Sequence, residues 1–314
     1  MMNGQARPIT EGGMLVAVSA AIALLSMYVP YVNLLWPMPI ALLGVRHGMR
    51  WGVMTAVCGA LAVGVVMSVV QGLFLFLSGG LVGIVLGECL KREMSAGRLL
   101  AITTGTALVS NLVLIGAAIL VMDIDLIEID AKMGEAVLAA VTDAAPFLGL
   151  EATDTAALEQ MSAEFRRMYM MMLPSGLFFY SLFTAVLNFA FLQPIMRRMQ
   201  MAVPRFSPFE SWRMPGWVLY LFVLSLVGTY WGNKWELMMM IAAAENVHML
   251  TSTALLVNGI SLLRYTANRN KLLGRLYWFV IVLAIISPFA VISLMVFGGL
   301  DILMNYRKNR EKRV

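Results

Sequence analysis

Glu245, Asn246 and His248 fall within one helical turn and interrupt an apolar run that extends from 236 to 263. A carboxylate and an imidazole three positions apart share one face of a helix and lie within reach of each other. Such a pair binds a polar ligand, relays a proton, or satisfies itself internally. An ionisable group inside a membrane helix costs roughly 2.5–3.5 kcal/mol on insertion scales and ordinarily faces a cavity or a partner. Residue 245 is nine positions beyond Glu236, about 14 Å along a helix, which predicts intermediate depth for the pair. Asn258 in the same run and Asn111 in an earlier one complete the candidate substrate-binding set. As single amides they, like Asn188, also suit interhelical hydrogen bonding. Asp301, near the end of the last apolar run, is placed to pair with Arg307.

Other chemistries lack their residues. The chain has no G-x-x-x-x-G-K-[ST], H-E-x-x-H or G-x-S-x-G pattern, and its two cysteines, Cys58 and Cys89, are far apart inside apolar runs. No catalytic residue, metal site or cofactor is expected, and any active transport must draw on a partner or an ion gradient. The 26 methionines, clustered at 168–172 and 238–240, are read as gap-filling side chains rather than a soft-metal path. His47, between Arg46 and Arg50, is expected to be a solvated loop residue.

The elements that hold these residues are membrane helices. Of 314 residues 60% are hydrophobic and 13% charged, with mean hydropathy +0.81, which excludes a soluble domain and a disordered chain. The net charge of +5 sits in short loops, where it reports orientation; no basic stretch interleaved with aromatics suggests nucleic-acid binding. Two apolar runs, 50–70 and 72–90, carry rows of small residues four apart: Ala56, Ala60 and Gly64 in the first, Gly79, Gly83 and Gly87 in the second. In lipid such rows permit the close backbone approach that replaces a hydrophobic drive, which predicts that the two runs form a tight helical hairpin as the packing nucleus.

In chain order, a short polar leader precedes a run at 14–29, read as a retained first helix rather than a signal peptide, with Ala17 and Ala21 on one face. The run at 34–45 is short and contains Pro37 and Pro39, too little to cross alone. Basic clusters after 45 and after 90 mark one side of the membrane. After a span at 99–122 comes an insert that contains ten of the eighteen acidic residues between 123 and 164. Two amphipathic pieces are visible in it, one on Met133, Val137, Leu138 and Val141, the other on Leu158, Met161, Phe165, Met168 and Met172, with Asp154 as a candidate N-cap. They predict a cap of two short helices, the alternative being a solvated acidic insert without a role. Further runs follow at 168–192, 217–231 with tryptophans at both ends, 236–263 and 276–306. The last one contradicts the charge rule: either it re-enters the membrane, or one basic cluster lies outside.

The first 195 residues, with Ala17-x-x-x-Ala21, 39–44 followed by Gly52, and 79–91, resemble the S components of energy-coupling-factor vitamin transporters. That resemblance implies a small-residue face on the first helix that docks on a transmembrane coupling subunit, and a substrate site near the outer ends of later helices. The whole chain, including 246–259 and Gly299-Leu300-Asp301 through Arg307, is similar to the YybS family of uncharacterised bacterial membrane proteins. That similarity carries no established activity.

The sequence thus predicts an all-α polytopic bundle of about eight to nine spans. Residues 1–200 form a six-span core with an acidic outer insert at 123–167, and 201–314 add two to three hydrophobic segments and a basic tail. The expected function is non-enzymatic binding of a small molecule, as a transporter or as a transporter subunit with a coupling subunit and ATPases. The alternative is a membrane scaffold for envelope or division proteins, acting through Ala17 and Ala21 or by self-association. The expected place is the bacterial cytoplasmic membrane, in contact with the lipid bilayer, with the N-terminus inside and the insert outside.

Overall fold

The computed structural model describes residues 3–121, 126–144 and 155–307, and every regular element among them is helical. Two compact units divide them, Met1–Ala163 with Gly176–Arg205 and Glu164–Ser175 with Phe206–Val314.

In the first unit, α1 spans Asn3–Leu25, so the polar leader is helical and continuous with the apolar run behind it. Ser19 and Ala23 face inward, while Ala17 and Ala21 are exposed. A 3-10 turn at Pro30–Leu35 leads to α2 (Pro37–His47), where Pro37 at the helix start has a preset φ and loses no hydrogen bond. Gly48, at φ 101°, turns the chain into α3 (Met49–Val66), a conformation that side chains disfavour. α2 has 11 residues, about 16 Å, and is buried along most of its length instead of crossing the membrane.

A short α4 (Val69–Leu75), a π turn at Phe76–Gly80 and α5 (Leu81–Lys91) form the next apolar stretch. The two small-residue rows meet different neighbours. A Cβ on Gly83 would stand 2.6 Å from the Pro37 carbonyl oxygen, and one on Gly87 2.9 Å from that of Ala41; Gly79 abuts the Pro37 ring. That row packs on α2. The other faces α4 and the π turn, for Ala56 lies beside Gly80, while Ala60 and Gly64 lie against Gly72. Trp36 is fully buried between them, with its ring against Gly59.

α6 (Ala96–Val121), α7 (Leu126–Ala144) and α8 (Thr155–Arg198) follow. Val141 of α7 and Leu158 of α8 are buried together with Val137, Leu138 and Met161 around them, so the two amphipathic pieces of the insert pack on each other. The second is not a separate short helix. It is the first part of the 44-residue α8, which runs on through Pro174 into the next apolar stretch. Asp154 lies outside the described residues.

The second unit contains α9 (Trp217–Lys234), α10 (Met238–Ala267), α11 (Lys271–Ile286) and α12 (Pro288–Met304). Gly232 fits against Ile241 and Gly228 against Ala244, which makes α9 and α10 antiparallel. α10 and α12 cross with backbones almost touching, since a Cβ on Gly259 or Gly298 would collide with the carbonyl oxygen of Leu294 or Leu255. α11 starts at the C-terminal end of α10, where Arg264 lies over the Tyr277 ring. The break at Ser287–Pro288 then bends the chain by 118°, and the end of α12 returns to residues 258–261 of α10. The last apolar region is therefore a sharply bent helix pair, a broken span or a re-entrant loop, and Arg307 beyond its end lies over the Tyr265 ring of α10.

Among the described residues, six helices are long and apolar enough to cross a membrane, seven if the bent pair is one span. The eight to nine runs of the sequence exceed this because α2 is short and buried, and because aromatic and polar ends dilute the hydropathy of α9.

Candidate functional site

The predicted polar residues of α10 are set by which neighbour each one faces. Proline at 174 removes a backbone donor and disturbs the helix around it. There the Ser175 N–H donates to Asn246 Oδ1 (2.7 Å), and the Met171 carbonyl, one turn back, accepts from Asn246 Nδ2 (2.6 Å). The same Nδ2 also donates to the Ala242 carbonyl at 2.7 Å. Asn246 thus lies across a rung of α8 and satisfies backbone groups that lipid could not. Its amide is committed to the fold.

Glu245 and His248 turn toward α9. Thr229 donates to Glu245 Oε1 at 3.2 Å. His248 Nδ1 shares a hydrogen bond with Ser225 Oγ at 3.2 Å, and its ring stacks on Phe222 with centroids 5.1 Å apart. No hydrogen bond joins Glu245 to His248 among the described residues; each takes its own hydroxyl, four positions apart on α9. Both remain half-buried. The sequence signal for these partners was the Ser225–Thr229 spacing on an otherwise apolar helix, one face of one turn.

Asn258 belongs to a different cluster, three to four turns along α10. It donates to the Gly298 carbonyl (2.8 Å) and accepts from Met214 N–H (3.2 Å) and Arg307 Nη2 (3.1 Å). Arg307 is the centre of this cluster and only 2% exposed. Its Nε and Nη2 meet Asp301 Oδ2 at 3.0 and 2.9 Å; Nη1 donates to the carbonyls of Glu210 and Trp212 and to Ser261 Oγ. Every guanidinium edge is occupied, as a buried arginine requires. The Asp301–Arg307 pair read from sequence is present, but its reach is wider: it fastens the segment before α9 to α10 and α12.

Asn111 lies in the first unit. It donates to Ser181 Oγ at 3.2 Å and lines a cleft of about 30 Å³ with Asn33, Ser78, Tyr180 and Thr184. Asn188, nearby on α8, donates to the Leu34 and Thr184 carbonyls. The five predicted residues therefore fall into an α8 bridge, an α9-facing pair, an arginine cluster and a first-unit cleft. His47 is not a solvated loop residue. Because α1 begins at Asn3, Glu11 reaches the end of α2 and meets both His47 Nε2 (2.8 Å) and Arg46 (2.5 Å). Glu88 pairs with Arg92 at 2.7 Å. No group of three or more His, Cys, Asp or Glu suited to a metal occurs among the described residues.

These features define a polytopic, all-helical integral membrane protein whose polar side chains on α10 bond to groups on neighbouring elements. The chain belongs to the DUF2232 family, described as a predicted membrane protein, whose model matches residues 17–302. It is similar to the uncharacterised protein YybS of Bacillus subtilis (strain 168), with 21% identity over 314 residues that cover 95% of this chain and 96% of that one. No solved structure matches the chain.

Proposed function

We propose that this membrane protein binds a small molecule without transforming it, as a transporter or as the substrate-binding part of one. One observation carries the reading: Glu245 and His248, in the interior of a 30-residue apolar helix, are half-buried and held by hydroxyls rather than by a counter-charge. Groups so costly in lipid ordinarily line a path for ions or solutes. A ligand or proton would compete only with the weak Thr229 and Ser225 contacts. By analogy with S components, a coupling subunit and ATPases would supply energy, the N-terminus would lie in the cytoplasm of a bacterial inner membrane, and 123–167 outside.

The test is a thermal-shift screen of the purified protein across vitamins and metabolites, followed by uptake of any hit into vesicles. Glu245→Gln and His248→Ala are expected to reduce uptake at least about tenfold, equivalent to 1.4 kcal/mol, with melting temperature unchanged. No hit in the panel, together with no coupling subunit on purification from native membranes, would overturn the reading.

A second reading, a scaffold for envelope or division proteins, is favoured by the exposure of Ala17 and Ala21 on α1. Ala17→Leu with Ala21→Leu is expected to abolish assembly with partners while folding is kept. Insensitivity of that assembly to Glu245→Gln separates the two readings.

A further inference from the structure

A groove of about 390 Å³ runs along the crossing of α10 and α12. Its floor is Gly259 and Leu294, where the two backbones touch, and its walls include Leu262, Leu263, Phe297 and Leu300. It ends beside Thr266 and Tyr306, at the C-terminal end of α10. Asp301 also borders it, but that carboxylate is bound by Arg307 and the groove surface is almost wholly apolar. Of its lining, Phe297, Leu300 and Met304 are exposed, as side chains bathed in hydrocarbon are. An apolar slot of this size does not stay empty in a bilayer, because its lining would forgo dispersion contacts.

The end at which the groove closes is basic. Arg264, Arg269 and Arg275 are exposed there, and Arg213 bonds Asn305, which lies between Met304 and Tyr306 of the groove. The acidic groups at that end are engaged: Glu210 accepts from Asn268, and Asp301 is held by Arg307 at 2.9 Å, with Arg213 Nε farther off at 3.9 Å. Trp217, which begins α9 at this same end, is exposed, the position of an interfacial anchor.

We propose that this groove binds one anionic phospholipid, with an acyl chain between α10 and α12 and the headgroup phosphate among Arg213, Arg264 and Arg269. Guanidinium groups are suited to phosphate, and arginine clusters at a helix end attract anionic headgroups. The small residues that let α10 and α12 touch also leave the furrow beside them that the chain fills.

The test measures melting temperature and native mass of the purified full-length protein with phosphatidylglycerol, with phosphatidylcholine, and with soluble glycerol phosphate. Phosphatidylglycerol is expected to raise the melting temperature by at least roughly 3 °C over phosphatidylcholine and to be retained at one per chain. Leu263→Trp, which fills the groove, should remove both effects, and Arg213→Gln with Arg269→Gln should remove the preference for the anionic lipid. Gly259 is left unchanged, since a side chain there would part the helices. Leu300→Trp provides a second filling variant should the first not fold. The proposal is overturned if the two lipids act alike or glycerol phosphate alone suffices. It is equally overturned if the filled groove still retains the lipid, or if filling it dissociates a dimer in either lipid, which would make a second copy the occupant.

Discussion

At the scale of single residues, Asn246 shows how a membrane protein repairs a helix. Pro174 disturbs α8, and a side-chain amide from α10 meets the Met171 carbonyl and the Ser175 N–H within hydrogen-bonding distance. In water such groups would find solvent; in hydrocarbon they must find protein. Asn246→Ala leaves a donor and an acceptor without that partner and is expected to destabilise by about 1–3 kcal/mol, read from thermal unfolding in detergent. If Asn246 served a ligand instead, the substitution would leave stability intact and weaken binding. Arg307 works in the same way on a larger set of acceptors, and removal of one member of such a buried pair costs about 3–5 kcal/mol.

At the scale of elements, the decisive contacts are backbone against backbone. Gly83 and Gly87 touch carbonyl oxygens of α2, and Gly259 and Gly298 touch those of α12 and α10. Gly83→Ala places a methyl group 2.6 Å from the Pro37 oxygen and is expected to cost about 1–3 kcal/mol through overpacking. Gly116 of α6 has nothing within 4 Å of the same added atom, so Gly116→Ala is expected to be neutral or to stabilise by about 0.5–1 kcal/mol. The contrast between two glycine-to-alanine changes in helices, measured by thermal melting, separates packing from intrinsic propensity. Equal effects would remove the case for the α2–α5 seam.

At the scale of the whole molecule, the course of the last apolar region fixes the topology of the second unit. α11 departs from the C-terminal end of α10 and the chain after α12 returns to residues 258–261, so the loop at 268–270 and the end of α12 are expected on one side of the membrane. A reporter inserted in that loop and another fused after Val314 are expected to be accessible from the same face to a membrane-impermeant reagent. Opposite accessibility would mean that α11 and α12 cross once as a single span. With both reporters on one face, Arg264, Arg269 and Arg307 obey the charge rule together, which the linear order alone did not allow.

Composition and apolar run length sufficed to specify an all-helical chain embedded in a bilayer, because hydrocarbon admits few alternatives to a helix with internal hydrogen bonds. The paired Asp301 and Arg307 were also legible, since both are costly in lipid and lie within two turns of each other. What tertiary structure alone decided is which helix each polar or small side chain meets. Spacing placed Glu245, Asn246 and His248 on one turn, yet Asn246 serves α8 while the other two serve α9, and Gly83 meets α2 rather than the helix before it. Periodicity reports the direction a side chain takes around its own axis. The neighbour found in that direction depends on bends such as those at Gly48 and Pro288, whose size no spacing encodes.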